Sequence, residues 1–178
     1  MPFDWLIGEL RKGSPGRKTT TMPTDLAPTP VAKSVRTSFT MILKDLEAIP
    51  AEAYERNFGG VSRTISDFIY EVTLVNDHIG HYMRGEEAFP WPEGGWIKAP
   101  DSLRGKEATL AAFKISAEKT MSTADSFNQE ELDAPLTTDD GETTRAERCR
   151  FIVIHNWYHM GQLNYIQSLL GDGEMHWG

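Results

Sequence analysis

Cysteine is nearly missing from this chain: Cys149 is the single one in 178 residues. That excludes an intramolecular disulfide and fits a reducing compartment. No run approaches the roughly eighteen consecutive apolar residues of a membrane-spanning helix. The opening stretch MPFDWLIGELRKG has no basic region ahead of its short apolar piece, so no secretory signal is read and the cytoplasm is the expected location. Positive charge is scarce too, with 18 Lys and Arg against 26 Asp and Glu, a formal net charge of -8 and no basic tract. Nucleic-acid binding depends on Lys and Arg neutralising phosphates, so that class of partner is not expected, nor is a membrane. Phosphate-binding glycine loops, a Ser-based nucleophile elbow, internal repeats and convincing alternating strand patterns are all lacking.

What is present is ordinary for one globular domain with a real core: 39% hydrophobic and 25% charged residues. Residues 1–30 read as an arm, in which an apolar patch (Phe3, Trp5, Leu6, Ile7, Leu10) is followed by the Pro/Thr/Gly-rich GSPGRKTTTMPTDLAPTP. Residues 31–178 read as an all-α four-helix bundle. Apolar residues at three- and four-residue spacing predict a first helix over Val31–Ile49, stopped by Pro50. A second helix starts at a Ser62 or Thr64 cap and runs to Gly85. A third, with the weaker pattern Leu103, Leu110, Phe113, Ile115, Ala117 and Met121, covers about Ser102 to Thr123. An acidic, turn-rich stretch follows, where Asp140-Gly141 suits the turn of a short hairpin. Thr143 or Thr144 with Glu147 resembles a capping box that opens the last helix, which ends at Gly171.

That last helix carries His155 and His159 four residues apart. Such positions lie about 40° apart around a helix and about 6 Å apart along it, so both imidazoles can reach one metal ion. Two satisfied core histidines are the plainer alternative. Gln162 and Ile166 continue the stripe, and Phe151, Ile152 and Leu163 flank it, which sets it on or beside the buried face. Asn156 follows His155 where a zinc-protease helix of type H-E-x-x-H needs its glutamate, so that chemistry is excluded. Cys149 lies about 120° around the helix from His155, too far for a Cys/His pair, and reads as a small buried hydrophobe. On the second helix Glu71 and His78 share one stripe, seven residues apart, while His81 reads as a surface residue. Trp91 and Trp96 sit in the Pro/Gly/aromatic loop 86–100, where they either cover a core edge or wall a pocket.

The segment HNWYHMGQ, from His155 to Gln162, resembles the last helix of the DinB-like (YfiT-like) family of metal-binding four-helix proteins. The likeness in helix order covers about Val31 to Gly171. The family's first ligand is a histidine on the second helix; here TISDFIYE from Thr64 places Glu71 at that position, with His78 two turns on. A carboxylate is an acceptable ligand for zinc, nickel, iron or manganese, and Glu71 is preferred to His78. The resemblance implies a divalent metal held between the second and last helices by His155, His159 and one of those two. It implies Gln162 as an orienting group and Tyr82, Tyr158 and Trp91 as pocket lining. It further implies a homodimer and a small-molecule substrate, acted on by a metal-dependent hydrolase or by a transferase activating a low-molecular-weight thiol such as bacillithiol, mycothiol or glutathione. A non-catalytic, stress-linked or structural metal-binding bundle is the alternative.

Overall fold

A computed structural model describes residues 27–87, 90–138 and 141–177 of the chain. Most of the expected arm, up to residue 26, and Asp140 of the expected turn lie outside the described residues. The fold is a bundle of four long helices, as the apolar spacing predicts. Helix α1 (Pro30–Ala48) is capped by Thr29, whose side chain accepts from the Ala32 N–H, and begins on Pro30, where a missing N–H costs nothing. Ile49 is already extended because Pro50 follows it. Helix α2 (Ile65–Arg84) is capped by Thr64 rather than Ser62 and ends on Gly85, whose φ of 68° suits glycine.

Helix α3 (Lys106–Asp125) starts later than expected. Asp101–Leu103 forms a separate 3-10 turn, and Gly105, at φ 81°, redirects the chain into the helix. Ile115, an apolar member of the expected pattern, instead points outward, 69% exposed. The buried side of α3 is Phe113 and Ala117 with Thr109, Ser116, Thr120 and Thr123. Its hydroxyls meet α2: Thr109 and Ser66 share a hydrogen bond of 3.0 Å, Ser116 donates to Asp77 at 2.7 Å, and Arg84 donates to Thr123 at 3.1 Å. An apolar periodicity cannot register a face built this way.

The acidic stretch, expected to be turn-rich, holds a short helix α4 (Gln129–Asp133) opened by an Asn128 capping box. The expected hairpin follows: β1 (Pro135–Thr138) pairs antiparallel with β2 (Gly141–Thr144), with Thr138 opposite Gly141. Thr144 and Glu147 then form the capping box that starts α5 (Arg145–Leu169).

The pairings fix the topology. Ser66–Thr109 at one end and Arg84–Thr123 at the other make α2 and α3 parallel. Ser38–Asn156 and Asp45–Asn164 make α1 and α5 parallel. Arg36 with Asp125 and Lys106 with the Glu47 carbonyl make α1 and α3 antiparallel. The bundle therefore runs up, down, down, up, and the 85–105 segment must return the length of α2 before α3 begins. Its Trp91 lies against α2 at His78, and the Trp96 and Ile97 carbonyls accept from Arg63 just ahead of that helix. Behind this strap Val35, Phe39, Ile42, Leu46, Ile69, Val72, Phe113, Ile152 and Leu163 form the core. One polar chain crosses it: Asn76 donates to Asn156 at 3.2 Å, and Asn156 donates to Ser38 at 3.0 Å. Those bonds join α2, α5 and α1 just beside the level of the paired histidines and hold their register, because a slipped helix would strand buried amides.

Candidate metal centre

Helix α5 presents His155 and His159 on consecutive turns, and α2 presents Glu71 opposite them. The ligand-capable atoms of these three residues all lie within 4.8 Å of one another. His155 Nε2 and His159 Nε2 are 3.2 Å apart, and Glu71 Oε1 lies 3.5 Å from the first and 3.7 Å from the second. Three corners of a tetrahedron around an ion with bonds of about 2.1 Å are separated by about 3.4 Å, so the spacing fits the donor set. The side chain of His159 is 1% exposed, that of His155 13% and that of Glu71 18%.

Protonation follows from the partners. His159 Nδ1 lies 2.9 Å from Gln162 Oε1, an acceptor, so Nδ1–H donates and the Nε2 lone pair faces Glu71 and His155. His155 Nδ1 is buried and has no hydrogen-bond partner. Phe68 stacks on the His159 ring at 5.7 Å and 10°, and Phe151 stacks on His155 at 5.8 Å and 12°. Phe151, read as a flank of the buried face, is itself 48% exposed, because its stripe marks the edge of the core while Ile152 and Leu163 are inside.

Glu71 is held from behind. Arg63 Nη1 donates to Glu71 Oε2; its Nη2 donates to the Asp67 carbonyl at 2.8 Å and the Trp96 carbonyl at 3.2 Å, and its Nε to the Ile97 carbonyl at 3.2 Å. One carboxylate oxygen is thereby occupied and the other turned to the imidazoles. Burial alone would raise the Glu71 carboxyl, but the Arg63 hydrogen bond and the charges of His159 and Arg63 outweigh it and hold it below the usual range. Burial lowers His155, and burial together with the neighbouring His155 charge lowers His159 from 6.5 to about 4.

A pH dependence follows. Above its usual pKa of 6.5 His159 is neutral in folded and unfolded chains alike; between 6.5 and about 4 only the unfolded chain takes the proton. The metal-free fold should therefore lose stability as pH falls through that window. At neutral pH no proton has to leave His159 for a metal to bind, so zinc affinity should stay nearly flat from about pH 8 to 6 and fall toward pH 4. Competition titrations with a chelator across that range test this, and a fall centred on 6.5 would contradict it.

The structure sends His78 elsewhere. Its ring stacks on Trp91 at 4.4 Å and meets Tyr82 edge-on at 4.9 Å, outside the group of three. Trp91 and Tyr82, expected as pocket lining, are thus placed at His78. Tyr158 meets His159 edge-on at 4.9 Å and is 63% exposed. His81 is half-buried, 3.4 Å from the Glu86 carboxylate. Arg63 and Phe68 were missed: Phe68 stands one turn before Glu71 and was readable from that spacing, whereas Arg63 precedes the α2 cap and carries no local signal.

The sequence profile of the DinB family matches residues 22–176. The chain belongs to the DinB family. This DinB protein matches the family across all four long helices and from residue 22, within the segment read as an arm. No curated protein sequence matches it. Among its described residues no helix is long and apolar enough to cross a membrane.

Proposed function

We propose that this DinB-family protein binds one divalent metal ion through Glu71, His155 and His159 and acts on a small-molecule substrate in the cytoplasm. The observation that carries the reading is the convergence of Glu71 Oε1 and two imidazole Nε2 atoms at 3.2 to 3.7 Å from one another. Two nitrogens and one carboxylate oxygen form an open coordination set suited to zinc, nickel, iron or manganese. A metal so bound supplies a lowered pKa for a coordinated water or thiol, the chemistry of hydrolysis or of S-transfer from a low-molecular-weight thiol. The chain's own residues do the positioning. Gln162 fixes the His159 tautomer, Arg63 turns the carboxylate, and Phe68 and Phe151 brace the two rings. A non-catalytic metal-binding bundle is the competing reading, and a fourth protein ligand closing the site would favour it.

Metal content of untagged protein, measured by mass spectrometry, tests the proposal. About one ion per chain is expected, lost in Glu71→Ala and His155→Ala and retained in His78→Ala. An empty native chain after incubation with zinc, nickel and manganese would refute the reading.

A further inference from the structure

Past α5 the chain turns at Gly171, whose φ is 85°, and comes back to α1. The Trp177 indole N–H lies 3.0 and 3.1 Å from the two carboxylate oxygens of Asp45, and Lys44 Nζ donates to the Trp177 carbonyl at 3.1 Å. Between this returning segment and the two helices lies a cavity of about 220 Å³ that shares no residue with the metal centre. It is smaller than the roughly 300–1,000 Å³ of sites for drug-sized ligands and far larger than the roughly 10–15 Å³ that one water needs.

The walls carry the carboxylates of Asp45, Asp172 and Glu174 against His176, with no Lys or Arg. Asp45 is 1% exposed, and burial raises its carboxyl above the ordinary range against the hydrogen bonds from Trp177 and Asn164. The same wall holds a buried donor that lacks an acceptor. Asn164 Nδ2 donates to Asp45 Oδ2 at 2.8 Å, which fixes the orientation of that amide, because a carboxylate only accepts. The same Nδ2 donates to Gln167 Oε1 at 3.0 Å, so the Gln167 amide is fixed in turn and its Nε2 is left over. Gln167 is 3% exposed, and Nε2 has no hydrogen-bond partner among the described residues. Buried donors ordinarily have an acceptor.

We propose that this cavity binds a small organic cation that brings its own acceptor: a primary ammonium with a carbonyl oxygen a few bonds away, the ammonium on Asp45 and the carbonyl on Gln167 Nε2. A carboxylate has about four lone-pair sites, and only Trp177 and Asn164 donate to that of Asp45, so it can accept again. An anion would satisfy Gln167 and meet three carboxylates. A bare metal ion would satisfy Asp45 and leave Gln167 as it is. Among the described residues, moreover, Glu71, His155 and His159 are the one group of three such side chains whose ligand atoms converge. The two demands stand side by side on the α1–α5 wall, and one molecule with both groups meets them together. None of this depends on metal being bound.

Titration of the full metal-free chain with glycinamide at pH 7 tests this, read by the NMR shift of the Trp177 indole N–H, which Trp177→Phe identifies. Glycinamide should bind saturably, with a Kd below about 10 mM. Ethylammonium has the cation without the carbonyl and acetamide the carbonyl without the cation, and each should bind at least about tenfold more weakly. Asp45→Asn should weaken glycinamide by a similar factor. Gln167→Met keeps the side-chain length and removes the donor, so it should bring glycinamide down to the level of ethylammonium. His155→Ala should bind glycinamide as the native chain does, which separates this cavity from the metal centre. Absence of a saturable shift at about 100 mM glycinamide overturns the proposal. So does ethylammonium or acetamide binding as tightly as glycinamide, or Gln167→Met binding glycinamide like the native chain.

Discussion

His159→Ala is expected to lower zinc affinity about a thousandfold. Zinc held by a small folded site binds with about 10–16 kcal/mol, so one ligand among three or four carries several kcal/mol, at about 1.4 kcal/mol per tenfold. His159 is also the more buried imidazole, with its tautomer already set by Gln162 and its ring fixed against Phe68. Gln162→Ala leaves all three donors and removes only the orienting oxygen, and it should lose about 10- to 100-fold. The order His159→Ala far below Gln162→Ala, with Gln162→Ala below native, is the signature of ligand and support. It is read by competition against a chromophoric chelator. Equal affinities for the three proteins would remove His159 from the site.

Arg63→Ala should destabilise the metal-free fold by about 2–3 kcal/mol. Arg63 satisfies the Asp67, Trp96 and Ile97 carbonyls and neutralises Glu71 in one stroke, and its side chain is only 30% exposed. Losing it leaves a largely buried carboxylate beside two imidazoles without its counter-charge, and carbonyls of the strap without a donor. The penalty should shrink when zinc is saturating, since a bound cation takes over the compensation of Glu71. Urea denaturation with and without zinc measures both quantities. A loss below about 0.5 kcal/mol, or one of equal size in both conditions, would show that Arg63 does not support the carboxylate.

The two imidazoles were legible because a four-residue spacing is a local property of one helix. So were the four long helices, their Thr64 and Thr144 caps and the hairpin. The choice between Glu71 and His78 was not settled by the sequence, since both lie on one stripe of α2. What separates them is how far α5 slides along α2, and that is set by the Asn76–Asn156–Ser38 chain, three residues with no sequence signature in common. The α3 face escaped for a related reason: its hydroxyls are buried because α2 offers partners for them. Arg63 reaches across from the loop ahead of α2 to backbone carbonyls of the returning strap, a meeting of segments that no periodicity encodes.

The donors also come from well-separated stretches of the chain, Glu71 from α2 and the histidines from the last long helix. At about 5–20 residues per second, a ribosome finishes His155 roughly 4–17 s after Glu71. During that interval the nascent chain holds one of the three donors of the proposed site and neither imidazole. The three-donor site proposed above forms only once α5 has left the ribosome and docked on α2, so it is completed after synthesis rather than during it. Chains truncated before the last helix should lack this three-donor site.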